Sequence, residues 1–279
     1  MHLNKDQMES LLAFAGYGDF SNAGVVFLMN EGGLGNRSVE ENIDDICGPM
    51  REDANSWLKN DWRNGYWKID QWSPGRVKKI PTSPFLRLSS RMVLALEDRH
   101  HSCEYWFQSK NNVLISAAKK FLMEGGLYSD RPGIRTALLD WRPLPRKTED
   151  DPLPFENVDQ NLFLKAFSFK DRGRNPYTEW RKKRIEVIRN LFESFPIPVV
   201  LCAGDPKTKK ILVQQIWGIS EYDEVVLSPS GKKIYVSKDK VGVETKIIVT
   251  PFLGYEHLGY SGTSDLTTFI KKYIKSLLP

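Results

Sequence analysis

Along the chain, apolar positions alternate between helical spacing and unbroken runs, which predicts helices interleaved with buried strands. Residues 4–16 place Met8, Leu11, Leu12, Phe14 and Ala15 on one helical face, and Gly16-Tyr17-Gly18 breaks that pattern. Gly24 to Met29 is a continuous apolar run with β-branched residues, as in a strand covered on both faces. It stops at Asn30-Glu31-Gly32-Gly33-Leu34-Gly35-Asn36, after which Val39 to Ile46 reads as an acidic helix. Residues 84–100 are helical, with Phe85, Leu88, Met92 and Leu96 roughly on one face, whereas residues 111–123 fit strand and helix alike. Residues 50–82 carry Trp57, Trp62, Tyr66, Trp67 and Trp72 among mixed charges and yield no assignment. Trp141-Arg142-Pro143-Leu144-Pro145 through Pro154 reads as a proline-punctuated, irregular connection.

The C-terminal half is more regular. Asn161 to Phe167 reads as a strand, and Tyr177 to Phe195 as a helix with Ile185, Ile188, Leu191 and Phe192 on its apolar face. Ile197 to Ala203 is a second buried strand ending in Gly204. Asp205-Pro206 supplies an N-cap followed by Pro at the first helical position, opening a helix to Trp217. Short strands at Val225–Leu227 and Ile234–Val236 flank Ser228-Pro229-Ser230-Gly231, a hairpin signal; Thr245 to Thr250 is a strand and Asp265 to Leu277 a closing helix. The alternation predicts an α/β fold, a mostly parallel central sheet flanked by helices on both faces. No repeat or flexible linker divides residues 1–279, so one domain is expected.

Composition narrows the class. With 41% hydrophobic and 27% charged residues, disorder, collagen and coiled coil are poor readings. No apolar run is long enough to span a bilayer, and no basic start with an apolar stretch opens the chain, so a cytoplasmic protein is expected. Cys47, Cys103 and Cys202 are scattered and odd in number, against a disulfide framework or a zinc ribbon. The net charge is +5, yet the first fifty residues hold only Lys5 and Arg37 against eight acids. The remainder is therefore a basic body, which makes a polyanion such as nucleic acid a candidate partner.

In α/β sheets, ligands bind in loops at the carboxyl ends of strands. Three such loops carry chemistry. At Met29 to Gly35, an amide and a carboxylate precede paired glycines, which allow close backbone approach to a substrate. Neither a Walker loop nor GxGxxG is present there. Phe169 to Tyr177 belongs to a stretch, residues 165–184, with eight basic residues against Asp171 and Glu179; Arg172 and Arg174 beside Gly173 are shaped to grip phosphate. Thr250 to Gly262 sets three glycines among apolar and aromatic residues. Its hydroxyls and backbone N–H groups suit a phosphate, and Leu253, Tyr255 or Leu258 suits a wedge into a base stack.

Taken in order, these segments resemble the uracil-DNA glycosylase superfamily. Val25 to Gly33 looks like its first motif, a strand running into a Gly-x-Asn/Asp-Pro-Gly type loop, with Leu28 in place of Gly and Glu31 in place of Pro. Asn161 to Lys165, followed by Arg172 to Pro176, Thr178 and Glu179, is similar to the base-reading strand and its Arg-rich exit. Pro198 to Leu212 resembles the buried strand, Gly turn and Lys-rich helix that follow, and Val249-Thr250-Pro251 stands where His-Pro-Ser is usual. The likeness covers residues 24–36 and 160–275; residues 50–155 look like an insertion. Within the superfamily the chain is most similar to the bacterial anti-phage glycosylases that remove glucosylated hydroxymethylcytosine from phage DNA. Thr250 leaves out the usual imidazole near the base, and three scattered cysteines exclude the four-cysteine iron–sulfur branch.

The resemblance implies a monofunctional DNA glycosylase that flips its target nucleotide out of double-stranded DNA, with no cofactor and no metal. Asn30 positions the water and Glu31 acts as base, or as an anion facing the oxocarbenium-like sugar; in the alternative, Asn30 is structural and Glu31 the sole catalyst. Met29, Gly32, Gly33 and Asn161 contact the base. Arg172, Arg174, Thr250, Pro251, Tyr255, His257, Tyr260 and Ser261 hold the DNA. Neither catalytic role calls for a covalent lysine. A rival reading is a catalytically inactive module that binds modified or damaged DNA.

Overall fold

The computed structural model describes residues 1–34, 37–47, 59–60, 83–170 and 173–277. Its seven strands are β1 (Gly16–Asp19), β2 (Ala23–Gly33), β3 (Arg135–Arg146), β4 (Val199–Ala203), β5 (Tyr222–Val226), β6 (Lys233–Ser237) and β7 (Lys246–Thr250). They form one mixed sheet in the order β1-β3-β2-β4-β7-β6-β5, and the pair Lys59–Asn60 adds a short antiparallel piece beyond β1. β3, β2, β4 and β7 pair in parallel, whereas β1 pairs antiparallel with β3, β6 with β7, and β5 with β6. The sheet is thus partly rather than mostly parallel.

The nine helices of the described residues are α1 (Lys5–Ala13), α2 (Val39–Cys47), α3 (Pro84–Glu97), α4 (Cys103–Trp106), α5 (Asn112–Met123), α6 (Gln160–Ala166), α7 (Thr178–Ser194), α8 (Pro206–Trp217) and α9 (Gly259–Ile270). Helix α1 packs on α2 and α7, and α7 on α8; α3 touches α4, α5 and α9. Ala23 to Leu28 are all buried, so both faces of β2 are covered, as its unbroken apolar run requires. Phe27 meets Phe85 of α3 edge-on at 5.4 Å and Tyr128 at 6.2 Å.

Several elements form for reasons visible in the sequence. Asn4 and Gln7 make a reciprocal capping box at α1. Asp205 caps α8 by accepting from the Thr208 amide at 3.0 Å, with Pro206 at the first turn and Gly218 closing the helix at φ 75°.

Others depart from the pattern read above. Gly16-Tyr17-Gly18 is strand β1. A Cβ on Gly16 would lie 1.8 Å from the Leu138 carbonyl oxygen, so glycine is what lets β1 close on β3. Trp141 to Pro145 belongs to β3. Its prolines fall where Glu31↔Arg142 gives way to Gly33↔Arg146, a register irregularity in which Pro143, Leu144 and Pro145 face the single Gly32, so no regular ladder donor is lost. Because β3 lies beside β2, residues 135–146 are part of the central sheet. Asn161 to Phe167 is helix α6, not a strand: Asp159 caps it through the Leu162 amide at 3.0 Å, and Phe163 and Ala166 are buried at helical spacing. Residues 111–123 resolve to helix α5, and the closing helix starts early, at Gly259. Trp57, Trp62, Trp67, Trp72, Gly35 and Arg172 lie outside the described residues.

Candidate active site

Among the parallel strands, the chain passes from β2 to β3 on one side, then crosses to β4 on the other. The crevice between the carboxyl ends of β2 and β4 is therefore a topological switch point, the usual ligand position in such sheets. Strand β2 outlasts its pairing with β4, which ends at Leu28↔Cys202, and continues along β3 alone. Met29 to Gly32 are half-buried as a result.

Asn30 faces the place where β4 gives way to α8. Its Oδ1 accepts from Lys209 Nζ at 2.7 Å, and its Nδ2 donates to Glu149 Oε1 at 2.6 Å. The two partners fix which way the amide points. Lys209 is 1% exposed and, among the described residues, has no carboxylate as an ion-pair partner. Burial pushes its pKa down. Gly204 (φ 147°) makes room for it, since a Cβ there would sit 2.8 Å from Lys209 Cε. Phe169 covers the ammonium at 5.8 Å from its ring centre. Glu149 itself is exposed.

Glu31 is held differently. Arg142 Nη1 reaches one carboxylate oxygen at 3.1 Å and Arg146 Nε the other at 2.5 Å, with the three side chains 5%, 11% and 4% exposed. Both oxygens are engaged, so Glu31 is a clamp between β2 and β3.

Beneath the clamp, Asp140 pairs in register with Met29 and is buried. Burial lifts its carboxyl to about 7, with the charge of Arg184 opposing and that of Glu31 adding to the rise. Arg184 does not bond that carboxylate: its guanidinium donates to the carbonyls of Leu12, Phe14, Ala15, Asp140 and Trp141. Asp140 Oδ1 faces a recess lined by Phe14, Tyr17, Gly32, Ile46 and Pro143. Asn42 Oδ1 and Arg142 Nε belong to the same lining, and all three buried atoms lack a hydrogen-bond partner among the described residues. A Cβ on Gly32 would stand 3.1 Å from Asp140 Oδ2.

The remaining expected site residues are scattered. Asn161 is exposed on α6, and its neighbours place it in no group with Asn30. Arg174 is exposed at the approach to α7. Thr250 is fully buried at the end of β7, its backbone oxygen accepting from Gly204, and Pro251 is half-buried. Leu253 and Leu258 are buried in the core and unsuited to a wedge. Tyr255 is 45% exposed, stacked on Tyr260 at 5.4 Å, with Arg91 beneath the Tyr260 ring at 5.1 Å. His257 and Ser261 are exposed nearby.

Sequence reasoning passed over Lys209, Asp140, Arg142, Arg146 and Glu149. Lys209 had a signal, because it shares the buried stripe of α8 with Leu212, Val213 and Ile216, a lysine at an apolar position. Asp140 had another, as a carboxylate inside Ala137-Leu138-Leu139-Asp140-Trp141. Among the described residues no three His, Cys, Asp or Glu converge as metal ligands, and no helix is long and apolar enough to cross a membrane. Compared with protein-family models, curated proteins and solved structures, the chain has no match.

Proposed function

We propose that this protein is a DNA glycosylase that flips a modified cytosine, glucosylated hydroxymethylcytosine of phage DNA, into the crevice at the ends of β2, β3 and β4 and hydrolyses its N-glycosidic bond. The reading joins the resemblance in the first motif to one observation, the Oδ1 of buried Asp140, which has no hydrogen-bond partner among the described residues. An ionised carboxylate accepts from the exocyclic amine of cytosine and repels the O4 of uracil. Asp140 thus takes the base-reading part expected of Asn161. The free space in the recess is about 10 Å³, enough for one water, so its Gly32–Gly33 wall moves when a base enters.

In this reading the reaction runs through an oxocarbenium-like sugar. Asn30, immobilised by Lys209, orients the water. Glu149, exposed and 2.6 Å from the Asn30 amide nitrogen, takes the water's proton, leaving Glu31 to hold β2 against β3. Arg174 and the Tyr255–Tyr260 stack meet the DNA outside the crevice. The test is abasic-site formation on matched duplexes carrying uracil, hydroxymethylcytosine or its glucosylated form. Release of the glucosylated base is expected; release of uracil alone would defeat the proposal. The engagement of both Glu31 oxygens favours a second reading, a module that binds modified DNA without cutting it, and retention of every duplex with no abasic product would select it.

A further inference from the structure

The scheme above leaves Lys209 unused in bond making, although its burial is expensive. An ammonium withdrawn from water needs a counter-charge, yet among the described residues Lys209 makes no ion pair: it reaches a neutral amide oxygen 2.7 Å away and the face of Phe169, with the charges of Glu149 and Asp140 acting from beyond ion-pair distance. Other lysines of the described residues, such as Lys182, Lys233, Lys238 and Lys240, stand in exposed ion pairs. The fold also gives up a side chain at Gly204, in a backbone conformation that favours glycine, to seat this one amine at the switch point. A buried lysine held by a neutral amide at the carboxyl ends of parallel strands is the arrangement that supplies a neutral amine to a carbonyl carbon.

We propose that Lys209 is the nucleophile of a second activity, cleavage of the DNA strand at the abasic site by β-elimination. The idea rests on the glycosylase reading for its substrate, because release of the base leaves a deoxyribose whose open form carries an aldehyde at C1′. The neutral Lys209 amine adds to C1′, and the carbonyl oxygen departs as water, leaving a protonated imine. A carboxylate removes a proton from C2′; Glu149, on the far side of Asn30, is the group at hand. The electron pair of that C–H bond moves in to form a C2′–C3′ double bond as the C3′–oxygen bond breaks, and the leaving group is the phosphate of the downstream strand. Water then hydrolyses the imine, returning the amine and an unsaturated aldehyde on the upstream 3′ end. No electrons are gained or lost overall, and no co-reactant besides water is needed. Lys209 is covered by Asn30 and Phe169, so these two side chains must yield to the sugar, and the same movement carries the amine from the Asn30 oxygen to C1′.

The experiment uses the full chain and a duplex with a preformed abasic site, incubated with sodium borohydride, which reduces an imine to a stable amine. A covalent protein–DNA adduct is expected, mapping to Lys209 by peptide mass spectrometry and absent from Lys209→Arg, which keeps the charge. Without borohydride, the wild type is expected to nick the same duplex and leave the unsaturated aldehyde end. Absence of an adduct with the wild type, or an adduct that maps to a different residue, overturns the proposal. Because the duplex is already abasic, that result leaves the glycosylase reading standing, and base release from the glucosylated duplex is scored in parallel to judge it.

Discussion

Two ends of one sheet treat charge in opposite ways. At the carboxyl ends of β2, β3 and β4, Glu31, Arg142, Arg146, Asp140 and Lys209 are withdrawn from water and locked to one another or to neutral partners. At the antiparallel side, Lys233–Glu224 links β6 to β5, and Lys238–Glu221 joins the residues just beyond, with all four side chains about half-exposed or more. An exposed pair exchanges one good hydration for another and contributes little. A buried group has lost its water and depends on whatever the fold supplies instead. Conserving charge at the second place costs almost nothing; placing it at the first requires a fold built around it.

The widest gap should appear on removing one member of a pair. Glu31→Ala strands two buried guanidinium groups and should cost about 3–5 kcal/mol in urea unfolding, and Glu31→Gln should recover part of it. A small loss for Glu31→Ala would mean that the clamp is wet. Next in size are the groups assigned to chemistry. Asn30→Ala and Glu149→Ala should each lower base release by about two to three orders of magnitude while duplex binding holds. If Glu149→Ala retains full turnover, the base is elsewhere and Glu31 returns as the candidate.

Asp140 gives a smaller effect and a sign. Its carboxyl sits near 7 in the fold, above the ordinary carboxylate value, so the native state holds its proton longer than the unfolded chain. Stability contributed by this group is present at low pH and declines as pH rises from about 4 to 7, and Asp140→Asn should remove that slope. Reading an amino group needs the ionised form, so kcat/KM for a cytosine-type base should fall as pH drops through about 7. Asp140→Asn, which also carries a donor, should shift preference toward uracil by about 10- to 100-fold. An unchanged preference would remove Asp140 from base recognition.

Smallest are the surface charges. Arg174→Ala should reduce the log–log salt slope of DNA binding by about 0.9 if it contacts one phosphate. An unaltered slope would return Arg174 to a solvated surface. Glu221→Ala should leave the unfolding midpoint where it was, and a clear shift there would erase the contrast between the two ends of the sheet.

Local chemistry was legible in the sequence wherever neighbours in the chain settle it. The Asp205-Pro206 start of α8, the apolar faces of α3 and α7, the hairpin around Ser228 to Gly231 and the buried runs of β2 and β4 all follow from caps, turns and periodicity over a few residues. The end of β2 did not follow: the apolar run stops at Met29, whereas the strand continues through Asn30 to Gly33 along β3. What the tertiary structure alone decided was who faces whom. Pro143 and Pro145 look like breakers until pairing with β2 leaves them in a bulge of β3, and Asn161 to Phe167 is apolar enough for a strand until Asp159 caps it as a helix. Glu31 reads as a free carboxylate beside Asn30, yet arginines 111 and 115 residues away engage it, while Lys209, 179 residues from Asn30, reaches the amide. A charged side chain has no periodicity that names its partner. Its ionisation and its role depend on how much water the packed chain leaves it, and that quantity exists only once strands far apart in sequence lie side by side.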